Sequence, residues 1–204
     1  MKYILVAVAI TLILFTLTKK DHDIQTLHPR NSILAFGDSL TYGYNAKPAE
    51  SYPAVLSTTT GLRVINAGIP AETSKEVLQR LPKHLEDPSI KLMVLCVGGN
   101  DMMQQIPLTT LKNNIKTMIH MAKEKEIDVL LISVPNITLF GLSPLPLYEE
   151  IAEEENIPLI SGLLAEILSD PSLKSDQIHP NALGYKQMAE KIVESLKENG
   201  WINK

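Results

Sequence analysis

Residues 33–44, ILAFGDSLTYGY, decide how this chain is read. Ile33, Leu34, Ala35 and Phe36 form an apolar run without alternation, the pattern of a strand buried on both faces. The run stops at Gly37-Asp38-Ser39, which sets a permissive backbone, a carboxylate and a hydroxyl side by side. A glycine turn followed by a serine helix cap accounts for such a triplet. So does a serine nucleophile presented at the mouth of a sheet. The rest of the chain separates the two.

Similar short apolar runs recur at 63–66, 92–97, 129–134 and 158–160. Helical stripes lie between and after them. One, over 73–85, carries Val77, Leu78, Leu81 and Leu85 on one face; another, over 108–125, carries Leu111, Ile115, Met118, Ile119 and Ala122. The last, over 181–197, carries Tyr185, Met188, Ala189, Ile192, Val193 and Leu196. Strands alternating with helices imply parallel pairing through right-handed crossovers. The expected fold is therefore a three-layer α/β/α sandwich with about five parallel strands in a flavodoxin-like order. In such sheets sites form at the carboxyl edge. Polar clusters follow the first three strands: Ser39, then 66–74 (NAGIPAETS), then 98–101 (GGND).

With 204 residues, 45% hydrophobic and 21% charged, the chain suits one domain with a full core. The net charge is −4 and no basic block exists, which argues against nucleic acid as a partner. The lone Cys96 lies in an apolar run and reads as a core residue. Residues 3–18 (YILVAVAITLILFTLT) are uncharged, with Lys2 before them and Lys19-Lys20 after. As a helix this stretch would be about 24 Å long, between a signal-peptide core and a full span. No small-x-small cleavage site follows, and no lipid-attachment cysteine. The reading is an export signal or membrane anchor over 1–20, a polar tether over 21–31 and one folded domain over 32–204. The protein is then exported: membrane-anchored, periplasmic or extracellular.

A serine hydroxyl needs a base. Of five histidines, His22 and His28 fall in the tether, and His84 and His120 on helices as surface residues. His179 stands in 175–185 (SDQIHPNALGY), three residues after Asp176 and just before the last helix. Pro180 suits a first helical position. At this spacing one tight turn lets the carboxylate reach Nδ1 and leaves Nε2 for a serine. Asp176 as a plain turn cap is the competing reading. No metal-ligand spacing is present, so neither metal nor other cofactor is expected.

Taken together, these clusters resemble the GDSL, or SGNH, hydrolase superfamily, and within it the bacterial thioesterase I, lysophospholipase L1 and arylesterase branch. The resemblance runs from about residue 32 to 196. It implies a nucleophile at Ser39, the oxyanion-binding asparagine at Asn100, and the acid and base at Asp176 and His179. Gly-x-Ser-x-Gly, needed by the hydrolases with a nucleophile elbow, is absent. One block departs from the family pattern: aligned on Asn66 and Thr73-Ser74, Ala71 stands where the family has the glycine that donates a backbone N–H to the oxyanion. Pro70 fixes its own φ and biases Ile69 to extended backbone, so an extended turn at Ala71 is expected. Ala71→Gly would then merely loosen the loop. Gly68 is the fallback donor. Asp38 is expected to be structural.

The resemblance implies a serine esterase acting on short- to medium-chain acyl esters, with thioesters and lysophospholipids as variants. An acyl or acetyl transferase, or a carbohydrate O-deacetylase, would use the same triad; a non-catalytic binding module is disfavoured by the intact residue set. Met102, Met103, Ile106, Phe140, Leu142, Leu145 and Leu147 follow the third and fourth strands and are candidates for an acyl groove.

Overall fold

The computed structural model describes residues 26–138 and 141–203. Strands β1 (Ser32–Gly37), β2 (Arg63–Gly68), β3 (Ile90–Cys96), β4 (Asp128–Ile132) and β7 (Leu159–Ile160) form one parallel sheet in the order β2-β1-β3-β4-β7. That is the expected flavodoxin-like order. β1 and β4 are buried along their whole length and β3 nearly so, which is why their sequences do not alternate. The edge strand β2 is largely exposed or half-exposed, and the opposite edge is blunted by the shortness of β7, which is only two residues long.

Eight α-helices lie among the described residues. They are α1 (Ser39–Tyr42), α2 (Tyr52–Thr60), α3 (Ser74–His84), α4 (Gly99–Met103), α5 (Leu108–Glu124), α6 (Leu147–Glu155), α7 (Leu163–Ser169) and α8 (Ala182–Glu198). α2, α7 and α8 pack as one layer, and α3, α5 and α6 as the other. The direction of travel explains the split. From β1 the chain moves one way to β2 through α2. It then crosses back over β1 through α3 and continues outward, so right-handed crossovers place the later helices on the opposite face. β1 is thus the point where strand order reverses, and the crevice beyond β1 and β3 is where an open sheet builds its site.

The helices read from periodicity are present within a residue or two. α3 is capped by Thr73, whose N–H and hydroxyl both meet Glu76 Oε2, at 2.7 and 2.9 Å. α8 is capped by Asn181, whose Oδ1 accepts from Leu183 and Gly184 N–H at 2.9 and 3.1 Å. Pro180 therefore precedes the cap; it is not the first helical residue, because the asparagine side chain outcompetes it as the start signal. Residues 135–144, expected as a loop, form the antiparallel hairpin β5 (Pro135–Thr138) and β6 (Gly141–Pro144). Residues 26–31, read as the end of a tether, are fastened to the domain. Leu27 N–H donates to Trp201 O at 2.6 Å and Thr26 Oγ1 to Gly200 O at 3.2 Å. The signal or anchor expected over 1–20 lies outside the described residues. Among those that are described, no helix is long and apolar enough to cross a membrane.

Trp201 closes the amino edge of the sheet. It is 1% exposed, and its indole N–H donates at 2.6 Å to Asp128, the first residue of β4. Trp201→Phe removes one donor to a buried carboxylate and shrinks a filled site. We expect a loss of about 1–3 kcal/mol in urea unfolding. Activity per folded molecule should be unchanged, since the pair sits at the edge away from Ser39.

Candidate active site

Three backbone ends meet at the carboxyl edge. The first is β1, which must finish on glycine: a Cβ on Gly37 would stand 1.9 Å from the Cys96 carbonyl oxygen. Asp38 then caps α1, its Oδ1 accepting from Leu40 N–H at 3.0 Å, and Ser39 is the first helical residue. α1 lasts one turn. Gly43, with φ 89°, ends it, and the N–H groups of Gly43 and Tyr44 both return to Ser39 O at 3.1 Å. The nucleophile candidate therefore sits in a closed, rigid turn.

The second end is the 175–181 turn. Asp176 Oδ1 accepts the N–H groups of Ile178 and His179, each at 2.8 Å. His179 Nδ1 lies 2.8 Å from Asp176 Oδ2, and His179 Nε2 lies 3.0 Å from Ser39 Oγ. An ionised carboxylate only accepts, so Nδ1 carries the proton and Nε2 is the acceptor for the serine hydroxyl. Partial burial pushes the Asp176 carboxyl up, but the Ile178 N–H, the His179 imidazole and the His179 N–H together hold it below its usual range. The acid–base pair and the serine expected from sequence are brought into hydrogen-bond contact.

The third end holds the oxyanion candidates. Asn100, the second residue of α4, donates through Nδ2 to the Glu72 carbonyl at 2.8 Å, which leaves its other amide proton available. Next to it Asp101, 1% exposed, accepts from Ser74 N–H at 2.7 Å and Ser74 Oγ at 2.5 Å. This ties α4 to the start of α3 and so to the Ala71 loop. Arg80 fixes the same loop from outside. It donates to Glu72 Oε2 and to Gly37 O, both at 2.6 Å, and lies over the Phe36 ring at 4.3 Å. No acceptor among the described residues takes the N–H of Ser39 or Ala71.

Two expectations change here. Ala71 is not extended: its φ is 68°, in the left-handed region. Pro70 fixes only its own φ and restrains Ile69, and the return of the chain from β2 into α3 imposes the turn on the residue after them. An alanine thus holds a conformation that favours glycine, at a steric cost of roughly 1–2 kcal/mol. Gly68 is not the fallback donor, because its N–H is taken by Asn66 Oδ1 at 3.0 Å.

The cleft beside Ser39 measures about 180 Å³. Of the groove candidates, Met102, Met103 and Leu142 line it; Leu168, Gln177 and Ile178 were not anticipated, since they come from α7 and from the 175–181 turn. Leu145 and Leu147 are core residues, 7% and 8% exposed, drawn inward as the chain enters α6. Ile106 is half-buried away from the cleft lining. Phe140 lies outside the described residues. Of the other histidines, His84 is half-buried, its ring edge-on to Phe36, and His120 pairs with Glu155 at 2.8 Å. Among the described residues no cluster of three or more His, Cys, Asp or Glu is placed to hold a metal. Burial pushes the Asp38 carboxyl up from its ordinary 3.8 to about 7; the Leu40 N–H opposes this, and the charges of Asp101 and Glu72 add to it.

Two outcomes follow from these backbone and charge environments. Ala71→Gly relieves the positive φ at the cost of a looser unfolded chain, and should stabilise the protein by about 0.5–1 kcal/mol while ester turnover persists. Thermal unfolding of the purified variant measures this directly. For Asp38, a folded-state pKa above the unfolded one means stability that is full below about pH 4 and lost as pH rises through about 7. Asp38→Asn lacks this component. Its unfolding free energy relative to the parent should therefore improve between pH 4 and pH 7, by on the order of a few kcal/mol. A parallel pair of stability–pH curves would refute the buried-carboxyl account.

The chain is similar to known hydrolases over most of its length. The GDSL-like Lipase/Acylhydrolase family matches residues 35–187. The chain is 26% identical over 174 residues to an arylesterase of Vibrio mimicus, covering 80% of this chain and 87% of that protein. It is 25% identical over 174 residues to thioesterase 1/protease 1/lysophospholipase L1 of Escherichia coli strain K12, covering 82% and 84%. The crystal structure of TesA superposes with a TM-score of 0.75 at 25% identity, covering 83% of this chain and 99% of that one. The strand order, the serine after β1 and the family match over most of the domain make this chain a member of the GDSL-like lipase/acylhydrolase family, a carboxylic-ester hydrolase of the SGNH type.

Proposed function

We propose that the chain hydrolyses short- to medium-chain acyl esters through a Ser39-His179-Asp176 triad. The observation that carries this is the continuous hydrogen-bond line from Asp176 through His179 to Ser39 Oγ, with distances of 2.8 and 3.0 Å. In the acylation step His179 Nε2 takes the Ser39 proton as Oγ attacks the carbonyl carbon. Asp176 stabilises the imidazolium that forms. The oxyanion is held by the Ser39 and Ala71 N–H groups and by the second Asn100 amide proton, all fixed before substrate arrives. The imidazolium returns its proton to the departing alcohol or thiol. Water activated by the same His179 then releases the acid. This sequence uses only the chain's own residues, substrate and water.

Chain length is read from the cleft. Its volume, about 180 Å³, is below the roughly 300–1,000 Å³ of sites for drug-sized ligands, which favours a short acyl group. Met102 and Met103 give it an adaptable wall. The relatives named arylesterase and thioesterase 1/lysophospholipase L1 support ester and thioester carbonyls alike as substrates. The uncharged stretch at 3–18 supports export, with residues 1–20 as a signal or membrane anchor.

Nitrophenyl esters of increasing acyl length test the reading, with kcat/KM expected to peak at short to medium chains and fall beyond. Ser39→Ala should abolish both turnover and stoichiometric labelling by a fluorophosphonate, with the fold intact by circular dichroism. Asn100→Ala should lower kcat by roughly 10²–10³. Near-normal turnover by Ser39→Ala would refute the assignment.

A further inference from the structure

The loop that closes α1 does more than end a helix. After Gly43 the chain does not leave the site; it folds back over the acid–base pair. The Tyr44 ring lies against the His179 ring with centroids 4.7 Å apart and planes inclined at 38°. The Tyr44 carbonyl is held at 3.0 Å by the hydroxyl of Tyr185, a fully buried residue of α8. The next residue, Asn45, has φ 62°. That conformation is uncommon outside glycine, and asparagine is among the few side chains that tolerate it. It sends the amide to the acid: Asn45 Nδ2 donates to Asp176 Oδ2 at 2.8 Å and lies 3.3 Å from Ser175 Oγ.

The acceptor count on Asp176 shows what this contact adds. Oδ1 takes the N–H groups of Ile178 and His179. His179 Nδ1 lies 2.8 Å from Oδ2 and 3.0 Å from Oδ1, and Oδ2 also takes Asn45 Nδ2. A carboxylate has about four lone-pair sites, so all are filled. Three of the four donors come from the acid's own turn. The fourth comes from 131 residues earlier, from the loop just past the helix that begins with Ser39. The Asp176 side chain is 39% exposed, so without that donor water competes for Oδ2 and the carboxylate loses its one restraint from outside its own turn.

We propose that Asn45 is a positioning residue: its amide clamps Asp176 Oδ2 so that His179 stays aimed at Ser39, and Tyr44 bounds the imidazole from the adjoining side. The segment 39–45 then supplies both the nucleophile and the outer brace of its base. Because Ser39 O anchors the turn through the Gly43 and Tyr44 N–H groups, serine and brace move as one body. The titratable and charged groups facing the pair are few. Asp38 lies beneath Ser39, Tyr44 and Tyr185 flank the turn, and Lys47, two residues beyond Asn45, is paired with Glu50 at 3.5 Å.

The proposal rests on the esterase reading, and two variants test it without forcing the backbone. Asn45→Gly keeps the positive φ and deletes the amide. Asn45→Asp keeps the size and replaces the donor with a second carboxylate. For Asn45→Gly, kcat on a nitrophenyl ester should fall about tenfold with KM within about twofold, the scale of one hydrogen bond to a charged group. The downfield proton resonance of His179 Nδ1–H should broaden or move, a readout independent of turnover. For Asn45→Asp, the added negative charge favours the imidazolium, so the acidic limb of the pH–rate profile should move up by about 0.5–1 unit. If both variants keep parental kcat, acidic limb and proton resonance, and differ only in thermal stability, Asn45 is a loop residue and the proposal is wrong. A parent chain that hydrolyses no ester and takes no fluorophosphonate overturns the esterase reading and the proposal with it.

Discussion

A hydroxyl at the end of the first strand has to meet an imidazole 140 positions later in the chain, within 3.0 Å. No local propensity can set that distance. It depends on the sheet reversing its order at β1, which leaves one carboxyl edge open between helix layers, and on α8 returning to that face with the acid–base turn at its start. The rest of the site serves the same constraint. Gly37 lets β1 and β3 run side by side to their last residues, the Asp101–Ser74 pair joins the loops after β2 and β3, and Arg80 joins the loop after β2 to the end of β1.

Around this edge the charges are arranged unequally. Asp176 is half-open to solvent and saturated with donors, which keeps it ionised and able to face an imidazolium. Asp38, two residues from the fully buried Phe36, is enclosed and close to other acids, which favours its protonated form. Two aspartates within one site thus have opposite electrostatic characters, set by hydrogen-bond supply in one case and by desolvation in the other. Only the first suits a triad, in agreement with the structural part expected of Asp38.

What could be read in advance follows the range of the interactions. Strand order and the long helices were legible because buried strands and amphipathic helices carry strong periodic signals; Ser39 and the Asp176–His179 spacing stood out at their ends, while the part expected of Asn100 came from the family resemblance. The β5–β6 hairpin was not, since its prolines and glycine read as loop and its pairing is set by packing over the cleft. The φ of Ala71 was hidden for a related reason: the turn is imposed by where α3 must start, against the preference of its own residue. Leu145 and Leu147 were misplaced because apolar loop residues look alike whether they face a cleft or the core. Asn45 and Tyr44 carry no signal at all in one dimension, their partners being more than 130 residues away.

The clasp between Leu27 and Trp201 fixes where residues 26–31 join the domain. Trp201 is bonded to the first residue of β4, so the chain enters at the amino edge, whereas Ser39 stands beyond the carboxyl end of β1. The six residues of β1 separate the two edges by about 20 Å. Entry and mouth are therefore opposite poles of the molecule.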